Sequence, residues 1–215
     1  MTDSLPYRAE RTDVSVDDLR FSLYAVVEID AVLDACLARD PENADLIPYF
    51  AVLWPSALGL ARWMSANRDL WPGATVLELG CGLGLPSLVA HRLGARVAST
   101  DFHPDNGPFF RMNAWLNGIE SPAYFRMDWR RPALRIRPRV LIGSDLIYES
   151  DLMPPLVACV GELCPPGGLF VLADPGRPHL QSCCSLLERE GFTAVVEVVD
   201  DVFVVVFRRA EEVSP

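Results

Sequence analysis

The chain has 215 residues, half of them hydrophobic, and a formal net charge of −10. That length fits one α/β domain with a sizeable core. The acidic balance argues against a nucleic-acid binder, whose footprint is basic, and no apolar run reaches the length that spans a membrane. The six cysteines (Cys36, Cys81, Cys159, Cys164, Cys183 and Cys184) include no CxxC pair. They are expected to be reduced and mostly buried in a cytoplasmic protein, with no structural zinc.

Met1–Arg11 is polar and carries no signal-peptide pattern, and Met1–Val14 as a whole is expected to be a loose tail. Leu19, Phe21 and Leu23 alternate with Arg20, Ser22 and Tyr24, which predicts a short strand. Ile29, Leu33, Cys36 and Leu37 fall at helical spacing up to Pro41, and Asp40–Leu46 is a turn-rich connection. Residues 1–47 are taken as an N-terminal extension packed on a main domain at 48–215. An aromatic loop, Pro48–Pro55, then feeds a helix from Ser56 to about Asn67.

Thr75–Leu79 is an apolar run of the kind a buried strand carries, and Gly80, Gly82 and Gly84 follow it directly. Pro86 opens the next helix, Ser87 to Leu93. Strand, glycine turn and helix in this order let a ligand lie against bare backbone at a helix N-terminus. A dinucleotide fingerprint needs a third glycine where Leu85 stands. Glu78, just before the turn, would repel a pyrophosphate but suit a cation. S-adenosylmethionine has a sulfonium and an amino group and no phosphate, so these residues favour it over a nucleotide or an empty turn.

Further along, strands are predicted at Arg96–Thr100, Ala123–Met127, Arg139–Gly143 and Leu169–Ala173. Helices are predicted at Asp105–Asn117, Asp151–Leu163 and from about Leu180 to Glu190. Phe192–Val199 and Val202–Phe207 are β-rich runs split by Asp200-Asp201, a hairpin signal. Alternating strands and helices predict a mostly parallel sheet covered on both faces, with the last hairpin antiparallel. Four successive strands end in an acidic residue: Asp101, Asp128, Asp145 and Asp174. Ligands of such sheets bind beyond the carboxyl ends of strands, and an acidic residue roughly 20 positions past the glycines suits ribose hydroxyls. His91, His103 and His179 are too scattered to suggest a metal site.

Leu77–Gly84 (LELGCGLG), Asp101, Asp128-Trp129 and Asp145-Leu-Ile-Tyr148 together resemble the class I, seven-strand S-adenosylmethionine-dependent methyltransferases. The D-x-x-Y motif at Asp145–Tyr148 resembles the protein-lysine branch in particular. Trp54–Ala61 and Ala173–Arg177 resemble its subgroup acting on electron-transfer flavoprotein β subunit, close to the nicotinamide-type N-methyltransferases.

The resemblance implies a Rossmann-like, doubly wound, seven-stranded sheet and a direct methyl transfer to nitrogen. It implies that Gly80, Gly82 and Gly84 pass under the donor, that Glu78 faces its amino end directly or through water, and that Asp101 holds the ribose. Asp128 and Trp129 would meet the adenine and Trp54 would help close the pocket, with Cys81, Phe102 and Ser144 completing the donor-binding set. Asp145 and Tyr148 would be the catalytic pair at the acceptor opening. The expected partner is a protein presenting a lysine, with an electron-transfer flavoprotein subunit one candidate, or else a small amine; a monomer is expected. All 19 basic residues are arginine, which composition bias explains, but a lysine-methylating enzyme so built could not modify its own side chains. A small-amine or pyridine N-methyltransferase, a donor-binding module without catalysis, and a dehydrogenase disfavoured by Leu85 and Glu78 are the competing readings.

Overall fold

The computed structural model describes residues 5–39, 47–120, 123–132, 134 and 137–211. The predicted connection at Asp40–Leu46 and the helix stop at Pro41 lie outside the described residues. The strands are β1 (Ala9–Val16), β2 (Leu19–Val26), β3 (Thr75–Leu79), β4 (Arg96–Asp101), β5 (Ala123–Arg126), β6 (Val140–Ser144), β7 (Leu169–Asp174), β8 (Phe192–Val199) and β9 (Val202–Arg209). The helices are α1 (Ile29–Arg39), α2 (Pro55–Ala66), α3 (Leu85–Arg92), α4 (Asn106–Leu116), α5 (Met153–Leu163) and α6 (Leu180–Arg189).

Seven strands form one sheet in the order β5-β4-β3-β6-β7-β9-β8, parallel from β5 to β7 and antiparallel at β9 and β8. Adjacent residues of its central strands face opposite sides, as the two-residue period requires. In β7, Leu169, Val171 and Ala173 pack with Leu60 and Met64 of α2 and Leu88 of α3. Phe170 and Leu172 turn to the other face, against Val160 and Leu163 of α5 and Leu187 of α6. Such two-sided burial is why the central strands are continuous apolar runs. The turn between β8 and β9 places Asp200 at φ 49° and Asp201 at φ 62°, the left-handed pair that a two-residue hairpin needs.

The N-terminus corrects one expectation. Part of the supposed tail is β1, paired antiparallel with β2 from Ala9↔Val26 to Val16↔Leu19. Its outer half is exposed, so only Val14 and Val16 carry an inward pattern. Together with Phe21 and Leu23 they join the core that holds α2 and α3. Helix α4 secures the outer edge of β2: Asn113 Oδ1 accepts the Tyr24 amide at 2.7 Å, and Asn117 Oδ1 accepts that of Ser22 at 3.0 Å. Side-chain amides thus satisfy an edge that would otherwise stay unpaired.

The order of strands reverses at β3: β4 and β5 lie to one side, β6 and β7 to the other. A crevice opens there beyond the carboxyl ends of the strands, the usual ligand position in open α/β sheets.

Candidate active site

The cavity at this crevice is lined by the glycine loop, the ends of β4 and β6, the residues after β5, and the aromatic loop before α2. Gly80, Gly82 and Gly84 have φ of 61°, 52° and 86°, a region L side chains avoid. A Cβ at Gly80 would stand 2.7 Å from Leu146 Cδ2, and one at Gly84 would stand 2.6 Å from Phe110 Cδ2. The loop is therefore bare backbone by necessity. Asn106, which the sequence reading passed over, braces it by donating to Gly82 O at 2.7 Å. Cys81 is buried in the loop, and burial pushes its thiol well up, so it is no nucleophile.

Asp101 closes one side of the cavity. Its Oδ2 accepts the Gly82 amide and its Oδ1 the His103 amide, both at 3.0 Å. Burial raises its pKa, and these two amides oppose the rise. Each oxygen keeps a lone pair for a ligand hydroxyl. Asp128, Trp129, Phe102, Ser144 and Trp54 also line the cavity. Burial alone would raise the Asp128 carboxyl, but hydrogen bonds and charge from Arg130 outweigh it and hold it below its ordinary value. Arg126 and Arg130 both lie over the Phe102 ring, at 5.7 and 5.2 Å from its centroid, which fixes that wall.

Glu78 is placed differently. It is fully buried, does not line the cavity, and accepts from the Ser87 amide at 3.0 Å and from the Ser87 hydroxyl. It thus serves the exposed N–H groups of the α3 N-terminus. The apolar run that makes β3 a central strand also takes Glu78 inside, so it stands behind the turn and not at the cavity wall.

At the other end Asp145 follows β6 in a left-handed conformation, φ 57°. Its Oδ1 accepts from Arg177 Nη1 at 2.6 Å, while its Oδ2 is buried and has no hydrogen-bond partner. Ser56 Oγ, at the start of α2, is likewise buried and without a partner. It lies near enough to hold the Asp145 pKa down somewhat against the rise that burial causes, though no hydrogen bond closes between them. Tyr148 is exposed at the rim, its ring 6.1 Å from that of Tyr49, which in turn is 6.3 Å from that of Trp54. Trp54 Nε1 donates to Tyr49 O at 2.8 Å, fixing the rim. Tyr49 and Arg177 were not named as site residues from the sequence. The aromatic run Pro48–Pro55 pointed toward the first; only the motif at Ala173–Arg177 pointed toward the second. Asp174 is fully buried and bound to Arg177 at 3.0 Å, and it does not line the cavity.

This bare-backbone cradle, a carboxylate free for hydroxyls and a second carboxylate beside an aromatic wall suit a nucleoside bearing a cationic tail, as S-adenosylmethionine does. Among solved structures, the 16S rRNA N2 G1207 methyltransferase of Thermus thermophilus superposes with a TM-score of 0.70 at 17% identity, covering 95% of this chain and 51% of that one. That likeness concerns the fold. Among curated proteins, the electron transfer flavoprotein beta subunit lysine methyltransferase of Xenopus laevis is 30% identical over 141 residues, 63% of this chain and 55% of its own. The histone-arginine methyltransferase METTL23 of Mus musculus is 28% identical over 120 residues, 53% of this chain and 47% of its own. The chain therefore spans about half the length of these two relatives. A family described as lysine methyltransferase matches residues 49–182, from the rim tyrosine into α6. The match takes in the glycine loop, all four strand-end aspartates and Arg177, more than half of the chain, and the protein belongs to the lysine methyltransferase family.

Proposed function

We propose that this protein is an S-adenosylmethionine-dependent N-methyltransferase acting on a lysine side chain of another protein. The observation that carries the proposal is Asp145, whose side chain lines the cavity beside the aromatic rim and whose Oδ1 is held by Arg177. When bound, S-adenosylmethionine supplies an electrophilic methyl group on a sulfonium. The glycine backbone, Asp101, Asp128 and Trp129 would hold it.

The remaining work belongs to the acceptor end. An amine attacks only when neutral, and a lysine amine at its ordinary pKa near ~10.4 is almost wholly protonated at neutral pH. Entry into a half-enclosed site lined by Leu152, Leu146 and the aromatic rim disfavours the charged form. The Asp145 carboxylate accepts an N–H of the amine and turns its lone pair to the reacting carbon, which is an orientation effect. Tyr49, Tyr148 and Trp54 exclude water at the rim, and their ring faces attract a methylated ammonium. The proton leaves to water at the open side of the cavity.

With no lysine in the chain, the acceptor side chain comes from elsewhere. The electron-transfer flavoprotein β subunit named for the Xenopus relative is the first protein to try, and a cytoplasmic setting is the one the six thiols suit. Asp145→Ala tests the reading. Transfer of labelled methyl should fall by about 10²-fold or more while donor affinity stays unchanged; equal loss of both removes Asp145 from the acceptor site.

A further inference from the structure

We infer that Arg177 is a positioning residue of the acceptor site: anchored on Asp174, its guanidinium fixes the orientation of the Asp145 carboxylate at the cavity wall. This rests on the reading of Asp145 given above.

One guanidinium nitrogen, Arg177 Nη1, binds both Asp145 Oδ1, at 2.6 Å, and Asp174 Oδ2, at 3.0 Å. Asp174 is itself immobile. It is fully buried at the end of β7, and its Oδ1 accepts the amides of Gly176 at 2.8 Å and Arg177 at 2.6 Å. Backbone and side chain of Arg177 are thus pinned to one carboxylate. Gly176, at φ 91°, lies so close to the Phe203 ring that a Cβ would stand 2.7 Å from it, so the turn carrying Arg177 has little room to shift. The Asp145 amide donates to Ala173 O at 3.0 Å, which ties the end of β6 to the same strand end.

The consequence is an asymmetric carboxylate. Oδ1 is held by a cation, while Oδ2 is buried and without a hydrogen-bond partner, as is the hydroxyl of Ser56. Arg177 approaches Asp145 from outside the cavity lining, so it does not compete with an acceptor there. The local charge count is two carboxylates and one guanidinium, which leaves one negative charge for the amine and its product. Remove Arg177 and the Asp145 and Asp174 carboxylates face each other without the cation between them. Like charge and burial then both favour a protonated Asp145, which no longer accepts the amine N–H through a fixed oxygen.

An ion pair that merely stabilises the fold would not separate the acceptor from the donor. The full chain carrying R177K, R177Q or R177A is compared with the unaltered enzyme for melting temperature, donor affinity by calorimetry, and transfer of labelled methyl to lysate protein. Transfer by R177A and R177Q should fall about 10²-fold, with donor affinity unchanged within about twofold. R177K, which keeps the charge but loses the planar fork, should recover part of the rate, and millimolar guanidinium should raise the rate of R177A and not that of D145A. Wild-type transfer by R177A, or parallel loss of donor affinity in a folded variant, would overturn the inference. Should R177A not fold, an unimpaired transfer rate in R177K and R177Q together would overturn it equally. Failure of the unaltered enzyme to label any protein would overturn the underlying reading first, and this inference with it.

Discussion

The amide of Ser87 donates to the carboxylate of Glu78 at 3.0 Å, and this bond fastens the end of β3 to the first turn of α3 behind the glycine loop. The Ser99 hydroxyl lies 2.6 Å from that of Ser87 and extends the buried chain to β4. Burial pushes the Glu78 carboxyl up to about 8, with the Asp101 charge acting in the same direction and the Ser87 bonds opposing. A group raised in the folded state gives stability that is fully present below its unfolded pKa and is lost as pH rises to the folded one. Stability should therefore decline from about pH 4.5 to about pH 8 through this group alone. Glu78→Gln removes the charge and keeps an oxygen for Ser87. The variant should be more stable than the parent at pH 8.5, by on the order of a few kcal/mol at most, with the difference shrinking toward pH 5. Melting curves at the two pH values check this; a variant less stable at pH 8.5 than at pH 5, relative to the parent, would show that the carboxylate form is the one folding selects.

Asp101→Ala tests the donor end. The change removes the acceptor of two backbone amides as well as the free lone pairs. Affinity for S-adenosylmethionine should fall by roughly 1.4 kcal/mol or more, tenfold. Unchanged affinity by calorimetry would refute the ribose assignment.

Gly80→Ala tests the cradle. The new methyl meets Leu146, a buried side chain with little freedom, and forces an L residue to φ near 61°. Strain of this kind costs about 1–3 kcal/mol, and donor binding should weaken at least as much as stability. A variant that binds as tightly as the parent would mean the loop yields where the geometry says it cannot.

Much of this was written in the chain before any fold was known. The run Thr75–Leu79 with its three glycines pointed to the cavity, because strand, glycine turn and helix let a ligand lie against bare backbone. The Asp200-Asp201 turn was equally plain. The β1 strand was not: Glu10, Arg11, Thr12 and Asp13 are exposed, and the half of the strand that has no buried side leaves no period to read there. The contact of Arg177 with Asp145 spans 32 positions and depends on β6 and β7 lying side by side, which no local pattern records. The partner of Glu78 was equally out of reach: the pleat of β3 turns Oε2 to Ser87, nine positions on, while Oε1 is buried without a hydrogen-bond partner.

The rim supplies a further expectation. Tyr148→Ala should lower transfer to protein several-fold or more by opening the acceptor side, while Tyr148→Phe, which keeps the ring beside Tyr49, should retain most of it. An aromatic face contributes about 0.5–2 kcal/mol to holding a cation. Equal loss in both variants, measured as initial rates at fixed donor, would assign the effect to the hydroxyl instead of the ring.

The most direct measurement is transfer of labelled methyl from S-adenosylmethionine to a lysate, separated into protein and small-molecule fractions, with the labelled protein hydrolysed to amino acids. The label should appear in discrete proteins as methyllysine and should be absent from the enzyme's own side chains, which include no lysine. Label recovered as methylarginine, or only among small molecules, would contradict a lysine acceptor at Asp145.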